Sequence, residues 1–302
     1  MTIGEALIWA RRRLQASPTP HEDARLLLQH LLDAGHAYLV AHPEQSLTTD
    51  QERLFRALVA RAQQLEPIPY ITGEAPFYGL DFIVTPDVLI PRPETEQLVE
   101  RAISWAQAHA AQRLVDVGTG SGCIAVVLAR RLPHASILAT DVSAAALDIA
   151  RRNALRHEVA DRLRFHEGTL LEGLTTTVDL VVANLPYISD SEWTVLDDAV
   201  KWYEPVGALR GGPDGLDLIG RLLRQVRSLL RPNGAVFLEI GWRQGDAARQ
   251  LAQTIFPAAR ITVQPDYAGH DRMVIIDTST GNNGPSNNVS PKKNPPDFDT
   301  LI

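Results

Sequence analysis

The sequence predicts an α/β protein in which a doubly wound, mostly parallel sheet follows a small helical bundle and a connecting β-hairpin. Between residues 113 and 277, short apolar runs rich in β-branched residues alternate with segments of helical spacing. A glycine-rich stretch at residues 118–122 directly follows the first of these runs, whereas residues 1–72 show helical spacing alone. Alternating strands and helices are typical of a parallel sheet covered by helices on both faces.

The composition is that of an ordinary globular protein. Of the 302 residues, 45% are hydrophobic and 22% are charged, and no apolar run approaches the ~20 residues that a membrane span needs. The amino terminus lacks the basic and then apolar arrangement of a signal peptide. We therefore expect a cytoplasmic protein without membrane contact, and we expect a monomer.

Charge and metal-binding residue types narrow the possible functions. A net charge of -7 gives no overall attraction to phosphate backbones, so we expect no direct nucleic-acid partner. The single cysteine, Cys123, excludes an internal disulfide and a multi-cysteine zinc site, and the His residues show no paired metal spacing. We predict no metal site. We interpret Cys123 as a small buried residue, because no nearby His could activate it.

Residues 1–72 form the predicted helical bundle. The apolar residues at helical spacing are Ile3, Leu7, Ile8 and Leu14, then Leu26, Leu27, Leu31 and Leu32, then Leu54, Phe55, Leu58 and Val59. The bundle carries no recognisable chemistry, so it is either a structural cap or a docking module for a macromolecular substrate. Residues 73–92 interrupt aromatic runs with proline and glycine, which indicates a hairpin linking two domains.

The next helix is predicted to begin at Pro93. A proline in the first turn of a helix loses no hydrogen bond, and Glu94 and Glu96 would face the positive end of the helix dipole. Capping chemistry therefore explains most of this segment. It does not explain Arg92.

The glycine-rich stretch is a candidate cofactor site. A strand over residues 113–117 runs into Gly118-Thr-Gly-Ser-Gly122, and a helix over residues 123–131 follows. Glycines let the backbone pass close to a ligand, and the helix start offers N–H donors, although a lone glycine loop is a weak signal. The following strand ends at Asp141, where an acidic residue meets a ribose in such βαβ units. Asp116 is a second acidic residue at this edge.

A second candidate site follows the apolar run at residues 178–183. The run is continuous and β-branched, which predicts a strand buried on both faces, with Asn184 at its carboxyl end. Ligands bind at this edge of open parallel sheets, and Pro186 keeps Leu185 extended. Taken alone, Asn184 and Tyr187 fit an ordinary turn with a surface tyrosine equally well.

The rest of the pattern completes the sheet. Helices are predicted over residues 144–156, 216–230 and 244–255, and strands over residues 163–166, 178–183, 235–240, 261–263 and 273–277. No helix separates the last two strands, so we expect them to pair antiparallel. The sheet domain would span residues 93–278. Residues 279–302 are too polar and proline-rich to pack, which predicts a disordered tail.

These motifs resemble a known family. Asp116-Val-Gly-Thr-Gly-Ser-Gly122 with Asp141 resembles the cofactor site of class I S-adenosylmethionine-dependent methyltransferases, and Asn184-Leu-Pro-Tyr187 resembles their Asn-Pro-Pro-Tyr motif. Further stretches together resemble the release factor glutamine methyltransferase family, over residues 1 to about 278. They are Ile90-Pro-Arg-Pro-Glu-Thr-Glu96, Glu204-Pro205 with Ala208-Leu209, Gly212-Pro-Asp-Gly-Leu-Asp217, Glu239-Ile-Gly-Trp-Arg-Gln-Gly245 and Asp266-Tyr-Ala-Gly-His-Asp-Arg272.

The resemblance implies a class I methyltransferase fold and an enzyme that uses S-adenosylmethionine. Its substrate would be the side-chain amide nitrogen, N5, of the glutamine in the Gly-Gly-Gln motif of class I peptide release factors, and we assign residues 1–72 to docking this protein. The implied cofactor-binding residues are Gly118, Thr119, Gly120, Ser121, Gly122, Asp141, Leu170 and Asn184. The implied catalytic residues are Asn184, Leu185, Pro186 and Tyr187, which with Arg92 also bind the substrate.

The sequence departs from the family pattern at two positions. Leu185 replaces the usual first proline, and Thr169 stands where related enzymes often carry an acidic residue near the adenine.

The residue types fit amide methylation. An amide nitrogen is a poor nucleophile because its lone pair is delocalised, so the site must orient it and engage its two N–H groups. The Asn184 side-chain oxygen and the Leu185 carbonyl can accept these, and the Tyr187 ring can stack on the planar amide. The sulfonium of the cofactor supplies the electrophile, so neither a metal nor a strong base is required and proximity is the main contribution.

Two other functions compete with this interpretation. An adenine-amine methyltransferase acting on DNA or RNA would suit the Asn-Leu-Pro-Tyr stretch equally well, but the net charge of -7 and the Arg92 motif argue against it. A non-catalytic binding protein could keep the cofactor fold and use the helical domain for interaction. The intact Gly118, Asp141 and Asn184 argue against such decay.

Overall fold

The computed structural model describes residues 1–279, which form two compact units. The first unit contains Met1–Glu74, Val84–Pro86 and Asp197–Tyr203, and the second contains Ala75–Ile83, Asp87–Leu196 and the chain from Glu204 onward. The predicted tail lies outside the described residues from position 280 onward.

The described residues contain helices α1 to α12 and strands β1 to β11, numbered along the chain. The helices are α1 (Ile3–Arg13), α2 (Pro20–Leu32), α3 (His36–Ala41), α4 (Thr49–Gln63), α5 (Ile68–Thr72), α6 (Pro93–Ala108), α7 (Cys123–Arg131), α8 (Ala144–Arg156), α9 (Asp190–Val195), α10 (Asp198–Tyr203), α11 (Asp217–Leu229) and α12 (Gly245–Ile255). The strands are β1 (Glu74–Phe77), β2 (Leu80–Ile83), β3 (Arg113–Val117), β4 (Ser136–Asp141), β5 (Leu163–Glu167), β6 (Val178–Ala183), β7 (Ile188–Ser189), β8 (Arg210–Gly212), β9 (Leu230–Glu239), β10 (Arg260–Pro265) and β11 (Asp271–Asp277).

The first unit is the predicted helical bundle. Capping boxes begin α1 and α4, because the Thr2 and Thr48 side chains accept from backbone N–H groups while Glu5 and Gln51 reach back to the caps. The apolar faces of the helices meet in one buried cluster. Its most deeply buried members include Ile3, Leu27, Leu28, Phe55 and Val59.

The second unit is built on a seven-stranded sheet in the order β10-β11-β9-β6-β3-β4-β5. The pairs β9–β6, β6–β3, β3–β4 and β4–β5 are parallel, while β11 runs antiparallel to both of its neighbours. The doubly wound sheet and its antiparallel end are therefore confirmed. Parallel neighbours are joined through helices, whereas β10 and β11 are joined by a short turn.

Strand β6 shows why the parallel strands are continuous apolar runs in the sequence. Leu180 and Val182 pack into the hydrophobic cluster on one face, and Val181 and Ala183 pack into the cluster on the other. The prediction of a strand buried on both faces is confirmed, and Asn184 follows directly at its carboxyl end.

Two local expectations were incomplete. Strand β9 begins at Leu230 and not at Ala235, and its register against β6 shifts between Val178 and Leu180. The intervening Pro232 and Asn233 look like a turn in sequence, and Asn233 takes a left-handed φ of 65° within the strand. The short elements between residues 188 and 212 were not predicted, because two- to six-residue elements leave little periodic signal.

Along residues 1–279, no helix is both long enough and apolar enough to cross a membrane.

Candidate active site

A cavity of about 380 Å³ opens at the carboxyl ends of the parallel strands, within the second unit. Its wall contains residues that directly follow or end four neighbouring strands: Gly118 after β3, Asp141 in β4, Gly168 after β5 and Asn184 after β6. Of the predicted site residues, the cavity is lined by Arg92, Gly118, Thr119, Gly120, Ser121, Asp141, Leu170, Asn184, Leu185 and Pro186. Gly122 and Tyr187 are not part of this lining.

The glycine loop is fastened to the neighbouring strand by main-chain hydrogen bonds. The N–H groups of Gly118 and Thr119 donate to the Thr140 carbonyl at 2.8 and 2.9 Å, and the Gly120 N–H donates to Asp141 Oδ2 at 2.9 Å. Gly118 and Gly120 have φ values of 71° and 53°, a region that favours glycine. The loop can therefore present its backbone to the cavity without a side chain in between.

The buried Asp116 side chain stabilises this loop through hydrogen bonds. Its buried Oδ2 accepts from the Thr119 hydroxyl at 2.6 Å and from the Ala125 N–H at 3.1 Å. Burial raises the pKa of Asp116 to about 7, although these two hydrogen bonds lower it. Asp116 thus joins the glycine loop to the first turn of α7 and is not exposed to the cavity.

Gly122 and Cys123 serve packing at the start of α7. A Cβ on Gly122 would lie 3.0 Å from the Ala150 Cβ, so glycine permits the close approach of α7 and α8. Cys123 is buried, as predicted, and burial raises the pKa of its thiol to about 12, which keeps it protonated.

Two aspartates, Asp87 and Asp141, line the cavity, and Asp141 is the one bonded to the glycine loop. Its Oδ1 accepts from the Ser143 N–H and its Oδ2 from the Gly120 N–H, both at 2.9 Å. Each carboxylate oxygen has a second lone pair that can accept from a ligand hydroxyl. A volume of about 380 Å³ and a glycine backbone with the Asp141 carboxylate beside it suit a nucleoside cofactor, since small-molecule sites span roughly 300–1,000 Å³.

The Asn184 side chain is held by a chain of hydrogen bonds. Asn184 Nδ2 donates to Thr95 Oγ1 at 3.0 Å, and the Thr95 hydroxyl donates to Glu239 Oε2 at 2.6 Å. The Tyr187 hydroxyl donates to the other oxygen of Glu239 at 3.3 Å. Burial raises the pKa of Glu239 to about 7, and burial with the nearby Glu239 charge raises the pKa of the Tyr187 phenol above its usual range.

The backbone around Tyr187 is held by a separate set of contacts. The Gln244 side-chain amide donates to the carbonyls of Tyr187 and Asp214 at 2.8 and 2.9 Å. A Cβ on Gly215 would lie 2.0 Å from the Tyr187 carbonyl oxygen, so only glycine fits there. The Tyr187 hydroxyl is turned to Glu239, and the predicted stacking of its ring on an amide stays a prediction.

Leu185 and Arg92 also have structural partners. The Leu185 side chain is buried, and its Cδ2 would lie 3.0 Å from a Cβ at Gly118, so it packs against the glycine loop. The Arg92 guanidinium pairs with Glu204, whose other oxygen accepts from the Ile90 N–H at 3.3 Å. This ion pair accounts for the arginine that capping chemistry left unexplained, and a role in substrate binding stays a prediction.

The comparisons with known proteins agree with this architecture. The sequence model of the PrmC N-terminal domain matches residues 5–73, and that of the Methyltransferase small domain matches residues 97–211. The release factor glutamine methyltransferase of Koribacter versatilis is 39% identical over 279 residues, which cover 91% of this chain and 98% of that protein. The Bordetella pertussis protein of the same name is 42% identical over 256 residues, covering 84% and 93%.

This chain belongs to the release factor glutamine methyltransferase family. The predicted family and enzyme class, a methyltransferase, are confirmed. The solved structure of the hMettl16 catalytic domain in complex with the MAT2A 3'UTR hairpin 6 is 16% identical and superposes with a TM-score of 0.52. The match covers 78% of this chain and 84% of that one, and it shows a common fold alone.

The sequence did not indicate four residues that contact the predicted site residues through hydrogen bonds or an ion pair. They are Thr95, Glu204, Glu239 and Gln244. All four lie in stretches that carry the family resemblance, but nothing in a local pattern indicates which distant residue each one contacts. Among residues 1–279, no group of three or more His, Cys, Asp or Glu side chains is arranged to hold a metal ion.

Proposed function

We propose that this protein transfers a methyl group from S-adenosylmethionine to the side-chain amide nitrogen, N5, of the glutamine in the Gly-Gly-Gln motif of class I peptide release factors. The observation that carries the proposal is the placement of the anchored Asn184 amide in the same cavity wall as the Asp141 carboxylate. A cofactor acceptor and an amide acceptor therefore share one cavity. Membership of the release factor glutamine methyltransferase family supports the choice of substrate.

The cofactor is proposed to lie along residues 118–122. The partly exposed backbone of Gly118 and Gly120 allows close approach, Asp141 accepts from the ribose hydroxyls, and Leu170 lines the wall on the adenine side with Thr169. S-adenosylmethionine, when bound, supplies an electrophilic methyl group on a sulfonium. Thr119, Ser121 and Gly122 complete the loop, with Gly122 acting through helix packing.

The glutamine is proposed to lie against residues 184–187. The Asn184 side-chain oxygen and the Leu185 carbonyl accept the two amide N–H groups, which orients the nitrogen lone pair and leaves it free to react. The buried surroundings of this loop strengthen each polar contact. Tyr187 and Pro186 shape the site, and Arg92 contacts the substrate from the rim of the cavity. Orientation in a dry site contributes most of the rate.

Residues 1–72 are proposed to dock the release factor, with residues 73–92 as a linker and residues 93–278 as the methyltransferase domain. A release factor is a cytoplasmic protein of translation termination, so the enzyme would act there as a monomer on a protein, without direct contact to nucleic acid or membrane. The match of residues 5–73 to a domain separate from the methyltransferase match supports this division.

The function is tested by radiolabelled methyl transfer from S-adenosylmethionine with three acceptors side by side: a class I release factor, DNA and ribosomal RNA. We expect label in the release factor alone. A matched release factor with glutamate in place of the Gly-Gly-Gln glutamine removes the amide nitrogen and should take up none. Label in either nucleic acid would favour the adenine-amine alternative, which the acidic net charge of -7 disfavours.

The docking role is tested by comparing a whole release factor with a short peptide that contains Gly-Gly-Gln. If residues 1–72 bind the protein outside the reacting motif, the whole factor should have a kcat/KM at least about a hundredfold higher, because remote binding energy contributes to the reaction. Equal kcat/KM values would leave residues 1–72 as a structural cap.

A further inference from the structure

The amide of Asn184 can face the cavity in two ways, with its oxygen or with its nitrogen. Only the oxygen can accept an N–H group of a substrate amide. Within residues 1–279 the Nδ2 atom donates to Thr95 Oγ1 at 3.0 Å, and no partner is found for Oδ1. Something in the protein must select this orientation, because the two ends of an asparagine amide have nearly the same shape.

The Thr95 hydroxyl supplies the selection. A threonine hydroxyl has one proton to donate, and an ionised carboxylate can only accept. Since the Thr95 proton goes to Glu239 Oε2 at 2.6 Å, the remaining lone pairs of Oγ1 can only accept. The group facing Thr95 must therefore be the NH₂ of Asn184, which leaves its oxygen for the substrate. Thr95 and Glu239 are 2% and 1% exposed, so the bond between them is shielded from water.

We propose that Thr95 and Glu239 are positioning residues, a relay that turns the Asn184 oxygen toward the substrate amide. This inference rests on the proposed function and deepens it. A buried carboxylate among apolar neighbours is costly to a fold, and Glu239 ends β9 directly after four buried hydrophobic residues, 235–238. In the relay this carboxylate accepts the hydrogen bond from the Thr95 hydroxyl, which an apolar side chain could not do.

The relay depends on the ionisation of Glu239. A protonated Glu239 could donate to Thr95, whose proton would then be free for the Asn184 oxygen, and the amide would turn the wrong end to the substrate. The groups facing Glu239 are Thr95 and Glu94 from α6, the Cys123 thiol from α7, Tyr187 from the loop after β6, and Arg272 from β11. Burial outweighs the lowering by Thr95, Arg272 and Tyr187, so the pKa of Glu239 lies at about 7 and kcat should fall as pH drops below it.

The experiment compares the full chain with Thr95→Val, Thr95→Ser and Glu239→Gln. For each we would measure kcat and KM with a release factor between about pH 5.5 and 8.5, and cofactor affinity by calorimetry. Valine keeps the shape of threonine without its hydroxyl, so Thr95→Val should lose about tenfold in kcat, with KM and cofactor affinity within about twofold. Its kcat should no longer fall at low pH.

The two other variants separate the relay from a structural role. Thr95→Ser restores the hydroxyl and should recover kcat to within about threefold of the wild type, with the fall at low pH retained. Glu239→Gln cannot titrate, so its kcat should be reduced and the fall at low pH should be absent. A merely structural contact would change stability without removing a limb of the pH profile.

Three results would overturn the relay: equal kcat losses in Thr95→Val and Thr95→Ser, a wild-type pH profile in Thr95→Val, or a fall at low pH that persists in Glu239→Gln. If Thr95→Val does not fold, the pH profile of kcat in Glu239→Gln tests the relay. A wild-type chain that transfers no methyl group to a release factor would instead refute the proposed function, so the two failures are distinguishable.

Discussion

The glycine loop at residues 118–122 and the loop at residues 184–187 follow neighbouring parallel strands, but different kinds of contact hold them. The glycine loop is bound to β4 by main-chain hydrogen bonds and by Asp141, which is 21 residues from its partner Gly120. Asn184 is held by the side chain of Thr95, 89 residues away, and Tyr187 by Glu239, 52 residues away. The proposed cofactor side, residues 118–122 with Asp141, thus depends on local backbone, and the proposed amide side, residues 184–187, on distant side chains.

Substitutions in the two loops should therefore have different effects. Changes on the cofactor side should weaken cofactor binding, because the backbone donors and Asp141 form that surface. Changes on the amide side should reduce turnover and leave cofactor affinity nearly intact. Each loop rests on a buried carboxylate, Asp116 or Glu239, whose pKa burial raises to about 7, so both sides of the site include a group that is costly to bury.

The largest effect is expected from Asn184→Ala. Losing one preorganised acceptor at a reacting centre costs on the order of ~3 kcal/mol, so kcat should fall by about a hundredfold. Calorimetry should give nearly wild-type cofactor affinity, since the glycine loop is untouched. The matched control is Asn233→Gly, which changes an exposed asparagine of left-handed φ to a residue that favours this backbone. If Asn184→Ala weakened cofactor binding as strongly as turnover, the two loops would not have the separate roles proposed for them.

The next effect is expected from Asp141→Ala. A charged acceptor to ribose hydroxyls contributes about 2 kcal/mol, so cofactor affinity should fall about thirtyfold. The Gly120 and Ser143 N–H groups also lose their acceptor, which should loosen the loop further. Asp148→Ala is the control, since Asp148 is an exposed aspartate of α8 that pairs with Arg151 across one turn. Unchanged affinity in calorimetry would remove Asp141 from the cofactor site.

A smaller effect, confined to the amide side, is expected from Gly215→Ala. The new Cβ would meet the Tyr187 carbonyl oxygen at 2.0 Å, so the loop after β6 must shift and kcat should fall by about tenfold. Gly173→Ala is a matched control, because Gly173 has a similar φ of 83° against 78° but open space at its Cβ. Both variants should lose about 1 kcal/mol of stability from backbone strain, and Gly215→Ala should lose more because of this clash. Equal kcat values in the two variants would show that the Tyr187 carbonyl need not be fixed.

The two loops also differ in how much of their structure the sequence predicts. The strand at residues 136–141, the glycine loop and Asp141 were all visible, because each is defined by a local pattern of apolar spacing or glycine. The partners of Asn184 were not visible, because a hydrogen bond to Thr95 depends on how α6 packs at the strand ends. Arg92 stood out as unexplained in sequence, and the structure pairs it with Glu204, 112 residues further along. A local pattern cannot supply contacts of that separation.

The smallest effect is expected from Leu185→Pro, at the residue that joins the two sides. The amide side should need only the carbonyl of residue 185, which proline also provides, and Pro186 already keeps this position extended. The buried leucine packs against Gly118, so the shorter ring of proline should cost some packing with the glycine loop. We therefore expect kcat to stay within about fivefold of the wild type, with a modest loss of cofactor affinity, in parallel assays of turnover and calorimetry.

Leu185→Ala sharpens this test, since alanine removes the contact with Gly118 and imposes no constraint on the backbone. If the side chain matters only through that contact, alanine should weaken cofactor affinity at least as much as proline and affect kcat little. A Leu185→Pro variant as inactive as Asn184→Ala would contradict the use of the carbonyl alone. Residue 185 would then need a backbone conformation or an N–H group that proline lacks. The glutamine amide would in that case bind to Asn184 without the carbonyl of residue 185.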